Sequence, residues 1–238
     1  MFFAIAFIGL GVEHFVFGEF ITGRAPAWPE GVPGQTVFAA LTGIVFIATG
    51  LALLLRKGAR TAAVVAAVVI ASWALLRHIP FLFAEPFLSG AWTRAGKALV
   101  FTGGALAVSG WRPRLSITIG RCALAVFLLI GGVQHFLFAK FVASLIPAWF
   151  PGDATSWAYF AGVALICGGI GLLIPQTARP AALWSGIMVF SWFWIVHIPR
   201  VTVGMSDQIA VFEALAVSGL AFLLSGRSAE PAQSKIKI

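Results

Sequence analysis

Eight runs of roughly 20 apolar residues follow one another along this chain, near 2–23, 36–55, 61–84, 92–110, 117–142, 156–174, 180–203 and 208–226. About 20 residues is the length a helix needs to cross the hydrocarbon core of a bilayer. In lipid every backbone N–H and C=O must find its partner inside the protein, so a chain crosses only as helices or as a closed barrel. None of the runs alternates apolar and polar residues with a period of two, which argues against barrel strands. The fold class that follows is an all-α membrane protein with eight transmembrane helices. Composition agrees: 60% of the 238 residues are hydrophobic and only 10% are charged, with a mean hydropathy of +0.99. A soluble domain carries about 45–50% apolar and about 25% charged residues.

The formal charge of +8 is no nucleic-acid footprint, because the basic residues scatter between apolar runs and form no stripe. They instead fix an orientation. With the N-terminus inside, the cytoplasmic ends and loops hold Arg56, Lys57, Arg60, Arg112, Arg114, Arg121, Arg179, Arg227, Lys235 and Lys237. The opposite side holds Arg24, Arg94 and Arg200, while Arg77, Lys97 and Lys140 fall within spans. This bias predicts that both termini are cytoplasmic. The first run starts next to Met1 without a basic leader, so no cleaved signal peptide is expected. The polar tail 227–238 is expected to be disordered. Cys122 and Cys167 lie on different spans without a Cys-x-x-Cys pattern, which disfavours thiol–disulfide chemistry.

An internal duplication is the second constraint. Residues 43–80 align without a gap onto 162–199, and 14 of the 38 pairs are identical. Trp73, His78, Ile79 and Pro80 recur as Trp192, His197, Ile198 and Pro199. Gly11-Val-Glu-His14-Phe15 recurs as Gly132-Val-Gln-His135-Phe136, and Pro26-Ala-Trp28 as Pro147-Ala-Trp149. In the last span of each copy Lys97-Ala-Leu matches Glu213-Ala-Leu. Each copy holds an even number of spans, so the copies are parallel. The expected architecture is two four-helix repeats, 1–112 and 113–226, related by a pseudo-two-fold axis along the membrane normal within one membrane domain.

The four histidines of the chain all fall inside the duplicated apolar segments. Ionisable groups in lipid are costly and are functional suspects by default. With the orientation above, His14, His78, His135 and His197 lie toward the outer face. Glu13, Gln134, Arg77, Lys97 and Glu213 lie there too. A polar layer confined to one half points to a site near the outer interface and not to a continuous proton path. Facing imidazoles could ligate haem b or a metal, or hold a quinone headgroup; they could equally make structural hydrogen bonds between helices. Gly11 and Gly132 precede a histidine by three residues and share its face, where a missing side chain admits either a flat ring or a close helix. Glu13 could relay a proton, or pair with Lys97 or Arg77; its counterpart Gln134 cannot titrate, which favours the first repeat as the active one. Lys97 and Glu213 occupy equivalent positions with opposite charge and are expected to pair across the pseudo-dyad. Pro80 and Pro199 should kink their helices just after the histidines. Trp73 and Trp192, five positions before, should lie about 140° away from the histidine face and serve packing.

The element His-Phe, a later Phe, then Pro-Ala-Trp-x-Pro ahead of a four-span unit resembles the DoxX-like family of bacterial membrane proteins. His135-Phe136, Phe141 and Pro147-Ala148-Trp149-Phe150-Pro151 carry the resemblance in the second half. His14-Phe15, Phe20 and Pro26-Ala27-Trp28-Pro29 carry it in the first. Both halves depart from the family by lacking a proline shortly after His-Phe, and the chain would be two fused copies where typical members have one. The resemblance implies a helical module of the bacterial inner membrane, near quinone-linked oxidation or redox-stress complexes. Three readings result. One is a redox module with haem b or a quinone bound by the histidines, with Glu13 handling protons and a periplasmic or membrane electron-transfer protein as partner. The others are a non-enzymatic scaffold or assembly factor whose polar layer is structural, and a small-solute or metal transporter with the pseudo-dyad as its pathway.

Overall fold

The computed structural model describes residues 1–20 and 28–227. Arg24, Pro26, Ala27 and the whole tail beyond Arg227 lie outside the described residues. Nine helices are present among the described residues, and no strand. They are α1 (Phe2–Val16), α2 (Gln35–Leu55), α3 (Ala59–Ala84), α4 (Ser89–Ser109), α5 (Pro113–Leu137), α6 (Ala139–Leu145), α7 (Ala154–Leu173), α8 (Ala178–Arg200) and α9 (Met205–Arg227).

Six of these, α2, α3, α5, α7, α8 and α9, are long and apolar enough to cross a membrane. The other two expected spans differ. α1 is strongly apolar but has 15 residues, ending at Val16 and not near residue 23. α4 has 21 residues and carries Arg94 and Lys97 in its first half. Arg94, expected in an outer loop, is therefore a helical residue. The run expected to continue to residue 142 breaks at Phe138, whose backbone (φ −123, ψ 37) leaves the helix before α6 begins.

Helix ends follow local chemistry. Gly34 and Gly58, before α2 and α3, and Gly110, after α4, adopt positive φ, which glycine tolerates without the Cβ clash. Arg56 and Arg112 adopt it too (φ 56 and 43) in the short turns after α2 and before α5. Pro113 sits at the first turn of α5, where its missing N–H is harmless. Asp153 caps α7, its carboxylate accepting from the Ser156 N–H at 2.7 Å.

Neighbouring helices pack in a closed circuit. α1 meets α2, α2 meets α3, α3 meets α4 and α4 meets α5. The chain then runs α5 against α7, α7 against α8 and α8 against α9, and α9 returns to α1. Contacts from α9 to α4 and α5 fill the middle. Two thirds (67%) of the apolar stretch of α9 is buried, against 28–39% for the other five long helices. α9 is thus the central helix, and the outer faces of the others are left to lipid.

Lipid tails are as apolar as leucine, so helices in a bilayer associate through close packing. Small residues allow it here. A Cβ on Gly11 would sit 2.7 Å from the Gly43 carbonyl and 2.9 Å from the Ile47 nitrogen. A Cβ on Gly132 would sit 2.9 Å from the Gly162 carbonyl and 3.0 Å from the Ile166 nitrogen. The α1–α2 and α5–α7 pairs therefore cross on matching glycines. Alanines do the same deeper in: Ala63, Ala66, Ala105, Ala125, Ala182 and Ala221 are buried. Phe7, Leu10, Leu124, Leu128, Leu172 and Leu220 fill the space between them.

Candidate functional site

α3 and α8 each contain one widened turn, Ala74–His78 and Phe193–His197, two residues ahead of Pro80 and Pro199. In each the backbone bonds i→i+5: the Ile79 N–H donates to Ala74 and the Ile198 N–H to Phe193. Residues five apart are then stacked along the helix, where a regular α-helix would separate them. This overturns the expectation for Trp73, which shares a pocket with His78. A regular 100° step per residue was the wrong ruler for this segment.

That pocket is a cavity of about 70 Å³ lined mainly by the first repeat, between the C-terminal ends of α1 and α3 and the N-terminal end of α4, and closed by the N-terminal end of α9 from the second repeat. His14 and His78 both line it. Around them stand Arg77, Arg94, Lys97 and Glu213, with Thr42, Phe20, Phe46, Trp73 and Phe101. The His14 Nδ1–H donates to the Leu10 carbonyl at 2.9 Å, which fixes the tautomer and leaves Nε2 as an acceptor. His78 is 5% exposed, and its Nδ1 has no hydrogen-bond partner among the described residues. Glu13 is 6% exposed and close enough to Glu213 of α9 for their charges to interact; its Oε2 likewise has no partner among the described residues. The Lys97 ammonium is ion-paired with Glu213, joining α4 to α9.

An aromatic cluster forms one wall. Phe20 stacks on Trp28 at 5.6 Å and meets Trp73 edge-on at 4.8 Å. The Arg77 guanidinium lies 5.1 Å from the Trp28 ring centre and 5.7 Å from that of Phe20. Trp73 donates its indole N–H to Thr42 at 3.3 Å, tying α3 to α2. Ring faces on one side hold the cation in place.

The second repeat is built differently. The His135 Nδ1–H donates to the Gly131 carbonyl at 2.7 Å, repeating the His14 arrangement. The His135 ring, however, stacks on Trp192 at 5.9 Å. Gln134, the counterpart of Glu13, accepts from Thr93 Oγ1 at 2.8 Å and so bonds α5 to α4. His197 ends the widened turn of α8 and is half-buried. His135 and His197 do not line the cavity of the first repeat. The four histidines thus divide into His14 and His78 at one pocket and the other two elsewhere. Sequence reasoning missed Arg94 as a site residue and gave Arg77 only as a partner for Glu13. Their absence from the second copy, where Val196 and Ala210 stand at the equivalent positions, was a readable signal.

The enclosed volume alone would hold only the edge of a haem macrocycle. Pockets for ligands of that size run to roughly 300–1,000 Å³. The cavity is several times smaller, although the backbone-bonded His14 would suit an axial ligand. Among the described residues, no group of three or more His, Cys, Asp or Glu side chains is placed to hold a metal ion.

Comparison with known proteins places one similarity. Residues 124–221 match a family described as a domain of unknown function (DUF8561). The matched stretch includes Gln134, His135, His197 and Glu213, and excludes His14 and His78. No curated protein and no solved structure matches the chain.

Proposed function

We propose that the chain is a quinone-linked membrane module that takes the oxygen-bearing edge of a quinone headgroup into the cavity of its first repeat. The observation that carries this reading is that His14 and His78 line one cavity together with hydrogen-bond donors and an aromatic wall. His14 Nε2 is the acceptor for a headgroup hydroxyl, and His78 Nδ1 is the side-chain atom available to a headgroup oxygen. Glu13, one residue from His14 in sequence, is the carboxyl that would take a proton onward. A cavity of about 70 Å³ admits one edge of a ring and leaves the remainder, with its isoprenoid tail, among the helices. The headgroup, when bound, would supply the two-electron chemistry; the protein would bind, orient and accept protons.

In this proposal α1 and α4 complete eight spans, and the two repeats are related by a pseudo-dyad along the membrane normal. Both termini are cytoplasmic, and the cavity opens toward the periplasmic side of a bacterial inner membrane. The resemblance to DoxX-like proteins supports the setting, and a periplasmic or membrane electron-transfer protein would be the partner. The second repeat is read as structural. Stacking of His135 on Trp192 and the Gln134–Thr93 bond give its polar groups partners within the bundle, which favours a scaffold role for that half.

The test is extraction of purified protein with organic solvent. Quinone at near one equivalent is expected in the parent and in His135→Ala, and its loss in His14→Ala and His78→Ala. A parent protein that retains none in mild detergent, and takes none up when it is supplied, removes the quinone reading.

A further inference from the structure

We propose that an anionic phospholipid binds at the end of the bundle opposite the cavity, its phosphate held by Arg121 and Arg114 of α5. The site lies apart from the cavity, so the inference does not depend on what the cavity binds.

The two ends of the bundle differ in charge. The α2–α3, α4–α5 and α7–α8 turns share one end, and the sequence there is basic: Arg56 and Lys57, Arg112 and Arg114, and Arg179. All described acidic residues, from Glu13 to Glu213, lie toward the other end. Exposed basic turns follow from the general charge bias of membrane proteins and need no ligand. Arg121 is different, because it lies inside a span. It stands eight residues into α5, about 12 Å along the axis. Its Nε is buried without a hydrogen-bond partner, and no ion pair reaches its guanidinium among the described residues. A cation within a bundle is costly unless something answers it.

The geometry of α5 says where the answer sits. Ala125 follows Arg121 by one turn, and a Cβ on Gly169 of α7 would lie 3.0 Å from the Ala125 carbonyl, so this face turns toward α7. Arg114, seven residues before Arg121, is about 20° away around the axis and shares the stripe. The neighbouring end of α7 is closed from within: the Thr177 hydroxyl donates to the Gly171 carbonyl at 2.8 Å. Arg114 also borders an open depression with Arg112, Pro113 and Leu115. The turn beside it is fixed in shape. The Trp111 N–H donates to the Ser109 hydroxyl at 3.0 Å, and the Trp111 carbonyl accepts from the Ser116 hydroxyl. Trp111, 40% exposed with the Arg112 guanidinium 5.0 Å from its ring centre, suits headgroup depth.

These features select a lipid over a soluble anion. A guanidinium fork matches two phosphate oxygens, and snorkelling carries the Arg121 head toward the headgroups. Leu115, and Leu173 and Ile174 at the end of α7, are exposed and offer acyl chains an apolar surface.

Native mass spectrometry of the full chain, released from detergent with equal amounts of phosphatidylglycerol and phosphatidylcholine, reads the preference directly. Phosphatidylglycerol is expected to bind on the order of tenfold tighter. Arg121→Gln should lower that preference about fivefold, the worth of one basic side chain at a membrane surface, and Arg121→Lys should keep most of it. Arg179→Gln, at the same end but on α8, should leave it within about twofold. Equal binding of the two lipids by the parent protein would overturn the inference, and that comparison needs no variant to fold. Equal losses in Arg121→Gln and Arg179→Gln would overturn it too, since the basic end would then act as one diffuse field. Soluble glycerol phosphate should leave the lipid in place; displacement at equal concentration would reject a lipid as the occupant. A preference that emerges only in Glu230→Gln would give Arg121 to the chain's own tail and likewise end the proposal.

Discussion

Lys97 and Glu213 show what one charge pair does inside a bundle. Each side chain is little exposed (13% and 11%), and each lies between helices of different repeats. Removing one partner of such a pair leaves a buried uncompensated charge, a loss of about 3–5 kcal/mol. Lys97→Met is expected to lose stability on that scale in detergent unfolding, and Lys97→Met with Glu213→Leu to recover most of it. Failure of the double variant to recover would mean that the pair is tied to further groups in the cavity. Asp153 makes a prediction outside the spans. The Ser156 N–H and hydroxyl hold its carboxyl below the usual 3.8. A lowered folded value means that the cap contributes fully above about pH 4 and is lost as pH falls through the lowered value. Exchange of the Ser156 amide should accelerate over that window, and Asp153→Asn should flatten the response. At this scale the sequence already marks the histidines, because imidazole is rare in hydrocarbon. It could not show that Arg94 joins His78, since helix rotation depends on packing partners distant in the chain.

At the scale of elements the long apolar helices were legible, but not the count of spans: eight were expected, and six helices among the described residues are long and apolar enough to cross. Apolar runs locate the long helices to within a few residues, because bilayer thickness fixes their length. The widened turns of α3 and α8 were not legible: prolines 80 and 199 signal a disturbance, but a kink and an i→i+5 turn satisfy them equally. That ambiguity decides whether Trp73 faces the site. Glycine positions are more tractable. Gly11 faces backbone atoms of α2, which cannot swing aside, whereas Gly226 meets nothing within 4 Å. Gly11→Ala must push α1 from α2 and is expected to cost about 1–3 kcal/mol. Gly226→Ala, with open space around it, should leave the melting temperature within a degree or two. Equal effects would show that the α1–α2 crossing is looser than its geometry.

For the whole molecule, the duplication was legible from rare residues, Trp, His and Pro, that chance does not align. Which helix ends up central was not, because α9 is no more apolar than α2, α3 or α5; only packing shows it buried. Orientation remains a matter of charge, and labelling decides it. After Cys122→Ala and Cys167→Ala, Glu30→Cys should react with an impermeant maleimide in intact spheroplasts, and Lys57→Cys only after permeabilisation. The opposite pattern would invert the chain in the membrane and turn the cavity to the cytoplasm. The circuit of helices has a consequence for synthesis. α1 leaves the ribosome long before α9, yet the side it presents to α9 stays uncovered until α9 is made; Gly9 leaves room there for Phe212, and Gly219 for Phe2. The clasp that shuts the ring joins segments of the nascent polypeptide made far apart in time. A message cut short anywhere before α9 would therefore yield an open product, missing both its centre and the carboxylate that answers Lys97.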